Sequence, residues 1–190
     1  MKGETLVFFD TETGGLLPQH PTTQLAAIAV DNDWREVETF EVKFQFDVAA
    51  CEPEALALNG YSPEKWANAV PEAYAWQQFQ GMLNRHRCVE LVSRAGKPYS
   101  VARLAGHNIL SFDLPRTEAA FKRLGLFFPI DFRTVLDTRQ GACWYFERLG
   151  ERPKDFKLTG LAECFGIPTA GAHDALADVR MTIELAKRLA

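Results

Sequence analysis

At 190 residues, with 47% hydrophobic and 24% charged side chains, the chain can bury one sizeable core and has no linker or repeat to divide it. No apolar run is long enough to cross a bilayer, no secretory core follows Met1-Lys2, and the cysteines at 51, 88, 143 and 164 form no Cys-x-x-Cys pair. A membrane protein, a disulfide scaffold and a zinc ribbon are thereby excluded, and the expectation is a single soluble domain, 1–190, in a reducing, cytoplasmic setting with four buried free thiols.

Periodicity predicts strands at 5–10, 25–30, 37–46, 101–106 and about 132–136, and helices at about 72–86, 112–124, 157–165 and 174–189. The stretches 47–53 and 94–99, the latter with a Gly96-Lys97-Pro98 turn, read as surface connections. An initial meander followed by alternating units suggests an α/β mixed sheet.

The first strand ends in Val7-Phe8-Phe9-Asp10-Thr11-Glu12-Thr13-Gly14-Gly15. Residues two apart on a strand share a face, so Asp10 and Glu12 present adjacent negative charges. Such a pair is unfavourable at the end of a buried strand unless a proton or a hard cation relieves it. In the middle of the chain, Gly106-His107-Asn108 leads to Ser111-Phe112-Asp113-Leu114-Pro115, where Pro115 suits the first turn of a helix. Asp113 there is favourable beside exposed amides whether or not a metal is present. On the last predicted helix Arg180, Glu184, Lys187 and Arg188 form the polar side, while Asp178 falls at the edge of the apolar arc and demands a buried partner. His173, five residues earlier at the helix entry, suits either local hydrogen bonding or a general base working near neutral pH.

In order and spacing, Asp10-x-Glu12, then Asn108 with Phe112-Asp113, then His173 and Asp178, resemble the three motifs of the DEDDh (DnaQ-like) 3′-to-5′ exonucleases. The resemblance runs from Val7 to about Leu189, with Asn59 a departure where relatives tend to show histidine. It implies a ribonuclease H-like fold, a mixed five-stranded sheet flanked by helices. It also implies that Asp10, Glu12, Asp113 and Asp178 hold two divalent cations, Mg²⁺ or in its place Mn²⁺, that His173 acts as general base, and that 5′-nucleoside monophosphates are released. Thr11, Thr13, Leu16 and Asn108 are the expected substrate contacts, with Leu16 or Leu17 either separating the last two bases or simply packing. Discounting the four acids from the formal charge of −4 leaves the remainder neutral, which suits a short contact with one strand end. Lys154 and Lys157 are contact candidates that also fit a solvated loop. The expected partner is a nucleic acid 3′ end, single-stranded DNA favoured, with no membrane; a polymerase or a second copy is a further partner. RNA trimming, polymerase proofreading and a non-catalytic nucleic-acid-binding module are the alternatives.

Overall fold

The computed structural model describes residues 4–190, so the reading of the Met1-Lys2 lead lies outside the described residues. The first three strands, β1 (Leu6–Thr13), β2 (Thr22–Val30) and β3 (Glu36–Lys43), form an antiparallel meander. Helices α1 (Pro53–Leu58) and α2 (Glu72–Arg85) follow, then a hairpin of β4 (Val89–Val92) and β5 (Pro98–Val101). The chain continues through β6 (Arg103–Gly106), α3 (Asp113–Arg123), β7 (Leu136–Asp137), α4 (Thr138–Leu149), α5 (Leu158–Cys164) and α6 (Ala175–Leu189). The main sheet has the order β3-β2-β1-β6-β7, with β6 parallel to both β1 and β7. This is the mixed five-stranded sheet, helix-flanked, that the sequence led us to expect.

Side-chain alternation on β1 decides where the chemistry goes. Val7 and Phe9 face a core shared with Trp76, Phe79 and Leu83 of α2 and Phe121 of α3. Phe8 faces the opposite way, into a cluster with Ala175, Val179 and Ile183 of α6. Full burial of a Phe side chain is worth about 2–3 kcal/mol, so a one-residue slip would move these rings to the wrong faces at large cost. Asp10 and Glu12 continue the Phe8 series and therefore point toward α6. β2 is covered on both faces, which explains its unbroken apolar run Leu25–Val30.

Several expectations need correction. Where a strand was expected at about 132–136, only the two-residue β7 forms, and its Asp137 caps a helix that the sequence reading missed. Asp137 Oδ1 accepts from the Arg139 and Gln140 amides at 2.9 and 3.4 Å, and Gly150 closes α4 at φ 69°. Few of the α4 side chains are buried, Ala142 and Phe146 carrying the apolar contact, so its helical period is faint in sequence. The Gly96-Lys97-Pro98 turn joins β4 to β5, and the 47–53 connection contains a short 3₁₀ turn, Val48–Ala50, before Pro53 opens α1. The four cysteines are free thiols but not buried: Cys51 and Cys88 are half-buried, while Cys143 and Cys164, on α4 and at the end of α5, are exposed.

Candidate active site

β6 pairs with β1 only as far as Phe8↔Ala105, whereas β2 stays paired with β1 up to Thr13. Beyond Phe8 the two parallel strands part, and one edge of β1 is left without a strand. Gly106 makes the parting possible. A Cβ there would lie 2.9 Å from the Phe9 carbonyl oxygen and 2.8 Å from the Ile109 side chain, so only glycine fits so close to β1. The turn that follows hangs on Asp137, whose carboxylate accepts from the amides of Asn108 at 3.0 Å and Leu110 at 3.2 Å. Asn108 takes a left-handed conformation, φ 56°, which asparagine tolerates.

That turn delivers Asp113, at the first position of α3, into the gap. Its Oδ1 accepts from the Thr11 amide at 3.1 Å and the Thr11 hydroxyl at 2.5 Å, occupying the place a neighbouring strand would have taken. From the other side comes α6. Asp174 caps it by accepting from the Ala177 amide at 3.1 Å, and His173, just outside, adopts φ 71°. A non-glycine residue in that region is strained, and here the strain turns the chain so that the His173 amide reaches Asp178 Oδ2 at 3.4 Å.

The result is a cluster in which one carboxylate oxygen each of Asp10, Glu12 and Asp178 lies within 4.8 Å of the others. Burial first, then the charges of Asp113, Glu12 and Asp178, hold the Asp10 carboxyl well above the usual carboxylate range. Burial and the Asp178, Asp113 and Asp174 charges push Glu12 up to about 8. Burial pushes Asp113 up to about 7 against the pull of its Thr11 hydrogen bonds, and raises Asp178 against the His173 amide. Asp178 Oδ1 is fully buried and has no hydrogen-bond partner among the described residues, which leaves unmet the demand for a buried partner that its sequence position makes. Converging hard oxygen donors and an orphaned buried carboxylate oxygen fit a divalent cation such as Mg²⁺, Mn²⁺ or Ca²⁺. Thiolate is missing from this set, so a soft-metal site is a poor match.

These acids form one wall of an open cavity of about 550 Å³. Of the residues singled out from sequence, Asp10, Thr11, Glu12, Asn108, Asp113, His173, Asp178 and Lys157 all line it. Asp113 stands beside the three-acid cluster, engaged with Thr11. Thr13 does not line the cavity; it is buried, and its hydroxyl donates to the Gly15 carbonyl at 2.9 Å. Leu16, 76% exposed, lies over a neighbouring cavity with Phe112 shared between the two. Lys154 is exposed outside both. Asn59, the departure noted above, donates from Nδ2 to the Thr13 carbonyl at 3.0 Å and so tethers the end of β1.

Three polar or charged residues of this cavity, His107, Arg139 and Asp155, are not singled out from the sequence. His107 bridges Thr138 Oγ1 at 2.9 Å and the Phe156 carbonyl at 3.1 Å. Burial lowers its pKa. A carbonyl only accepts, so in the neutral ring Nε2 carries the proton and Nδ1 accepts from Thr138, latching the 155–158 segment onto the cavity rim. Arg139 donates to Asn108 Oδ1 at 2.7 Å and brings a cation to the lining of the same cavity. Asp155 sits on the same segment as Phe156 and Lys157. The one available signal was Asp137-x-x-Gln140, a capping pattern that marks the start of α4 and hence the position of Arg139.

The RNase T model of the exonuclease family matches residues 7–95 and 99–186, nearly the whole chain. The chain is similar to Protein NEN4 of Arabidopsis thaliana, 28% identical over 195 residues that cover 97% of this chain and 66% of NEN4. It is also similar to Protein NEN3 of the same plant, 34% identical over 110 residues, 56% of this chain and 20% of NEN3. Among solved structures it superposes on E. coli Exonuclease I in complex with a dT13 oligonucleotide with a TM-score of 0.75, at 23% identity, over 98% of this chain and 41% of that one. The zinc ion bound form of an Exonuclease I–ssDNA complex gives 0.76 at 24% identity, over 98% and 40%. The chain thus spans under half of Exonuclease I and from 20% to 66% of these two plant relatives. Among the described residues no helix is long and apolar enough to cross a membrane.

Proposed function

Because the chain belongs to the RNase T exonuclease family, we propose that it is a metal-dependent 3′-to-5′ exonuclease that hydrolyses the terminal phosphodiester of single-stranded DNA and releases 5′-nucleoside monophosphates. The observation that carries this reading is the convergence of Asp10, Glu12 and Asp178 around an unpartnered, buried Asp178 Oδ1. Mutually repelling, partly protonated acids serve no purpose in the folding of a binding module, and they suit cation-assisted phosphoryl transfer. Two Mg²⁺ ions, held by Asp10, Glu12 and Asp178 with Asp113 assisting, would supply Lewis-acid stabilisation of charge on the attacking and leaving oxygens.

The protein's own residues account for the rest. His173, exposed at the rim and next to the acids in sequence and space, accepts a proton from the attacking water at its imidazole nitrogen. Thr11 holds Asp113 in one orientation through two hydrogen bonds, so the fourth acid is already positioned before substrate arrives. Arg139 and Lys157, in the lining of the same cavity, offer positive charge to the phosphate backbone of the incoming strand. Single-stranded DNA is favoured because the Exonuclease I structures that share this fold hold dT13 and ssDNA, and because cationic side chains here are too few for a long duplex track. The four unpaired thiols accord with a reducing, cytoplasmic setting.

The test is incubation of matched 5′-labelled DNA and RNA single strands with Mg²⁺, with Mn²⁺ and with EDTA. The expected outcome is stepwise shortening of the DNA with either metal and none with EDTA. Binding without shortening under every metal condition would establish the module reading instead.

A further inference from the structure

The segment between β1 and β2 carries the most exposed leucines near the site, Leu16 at 76% and Leu17 at 51%. Its base is fixed by backbone hydrogen bonds: Gly14 to the Pro21 carbonyl at 2.8 Å, His20 to Leu17 at 3.0 Å and Glu52 to Gly14 at 2.7 Å. Its apex is held differently. The Arg116 guanidinium donates from Nη1 to the Leu17 carbonyl at 3.1 Å and from Nη2 to the Leu16 carbonyl. The same guanidinium lies 4.3 Å over the Phe112 ring, and Arg116 is half-buried.

Arg116 stands one helical turn after Asp113 on α3, and Phe112 immediately precedes that acid. One side chain therefore joins the exposed leucines to the element that sets the position of the fourth acid. Two successive carbonyls need two donors at a fixed spacing, which a planar guanidinium has and an ammonium lacks. Stacking on Phe112 fixes the plane of the fork. We infer that Arg116 is a positioning residue that pins Leu16 and Leu17 beside the cavity that adjoins the acid site through Phe112, so that an incoming strand running from one cavity to the other meets a fixed apolar edge. Substrate length is thereby sensed: only a strand with at least one nucleotide beyond the scissile bond touches the pinned edge. The inference rests on the exonuclease reading, but the pin itself is measurable without turnover.

The experiment compares wild type, Arg116→Met and Arg116→Lys on two substrates with Mg²⁺. One is a single-stranded DNA oligomer; the other is the p-nitrophenyl ester of thymidine 5′-monophosphate, which has one nucleoside and no upstream strand. Arg116→Met is expected to raise KM for the oligomer about tenfold with kcat changed less than about threefold, and to change ester hydrolysis less than about threefold. Arg116→Lys, able to reach one carbonyl, should restore part of the loss. Equal losses on both substrates would mean that Arg116 acts through Asp113 or the fold and would overturn the inference, as would no change on either. Hydrogen exchange at the His20 amide, which donates to the same Leu17 carbonyl that Arg116 holds, gives the independent reading, with at least fivefold faster exchange expected in Arg116→Met and an unchanged rate overturning the pin. Wild type inert toward both substrates, with the exchange result as expected, would sink the exonuclease reading and leave the pin standing.

Discussion

Replacing Asp178 with Asn should make the metal-free protein more stable while abolishing its activity. The oxygens of Asp10, Glu12 and Asp178 lie within 4.8 Å of one another, and two unit charges at that distance repel by about 3 kcal/mol at an effective dielectric constant of 20. Asparagine keeps the shape and can still accept from the His173 amide, so the loss of one repulsion is not offset by a lost contact. The folded cluster binds more protons than the unfolded chain, because Glu12 is pushed up to about 8 and Asp10, Asp113 and Asp178 are also raised. Wild-type stability therefore falls as pH rises toward 8 and beyond, the reverse of a salt-bridged acid. In EDTA at pH 8.5 the variant should gain about 2–3 kcal/mol, seen as a melting temperature roughly 5–10 °C higher for a chain of this length. At about pH 4.5, where the unfolded-state acids also become protonated, the two proteins should converge. Mg²⁺ should stabilise wild type and leave the variant nearly unmoved. Calorimetry showing Asp178→Asn less stable than wild type at pH 8.5 without metal would refute the argument, since it would mean that the carboxylate is satisfied by the protein alone.

Four further expectations follow from individual contacts. His173→Ala should slow strand shortening by about two to four orders of magnitude while Mg²⁺ titration stays close to wild type; a loss of activity in step with metal affinity would make His173 a ligand. Thr11→Val removes the 2.5 Å bond to Asp113, so it should destabilise by about 1–2 kcal/mol and, by weakening support for the Asp113 anion, move the acid limb of the pH–rate profile upward; an unmoved limb would remove Asp113 from the titrating set. Gly106→Ala should cost about 2–4 kcal/mol, because the added methyl meets the Phe9 carbonyl, and a near-neutral melting curve would contradict the close approach. A covalently closed single-stranded DNA circle should survive conditions that consume its linear form, and cutting of the circle at a similar rate would indicate endonuclease action at the same acids.

The parts of this molecule most legible in sequence are those where one residue type has one physical use. Leu25–Val30 reads as a strand covered on both faces, and the alternation of side chains along β1 is enough by itself to bring Asp10 and Glu12 together. Asp178 is legible because a charge on an apolar stripe needs an explanation, and its buried, unpartnered oxygen supplies one. Thr13 and Leu16 are harder. Both follow directly on the acids in sequence, but β1 ends at Thr13, and the chain turns away so that one side chain bonds its own loop and the other projects over a neighbouring cavity. Helix α4 escapes because its apolar residues fall on both sides of it, Ala142 and Phe146 buried but Trp144 and Leu149 exposed, so no single stripe shows, and with it go Arg139 and the role of Asp137, which depend on where that helix starts. The Arg116 contacts with Leu16 and Leu17 join positions about a hundred residues apart, and nothing local in either stretch announces the other.

The hairpin between β4 and β5 divides the chain between its two sets of reactive groups. Asp10 and Glu12 precede it, Asp113, His173 and Asp178 follow it, and the family match is itself interrupted between residues 95 and 99, at the turn. Gly96 there is exposed, with open space around it. A backbone nick at that glycine would leave two fragments, neither holding a complete set of acids, whose contacts in the intact fold include the β1–β6 pairing and the bonds from Thr11 to Asp113. Nuclease activity in a mixture of the two pieces would then report their reassembly, and fusing each piece to one of two other proteins would turn this site into a sensor of whether those proteins associate.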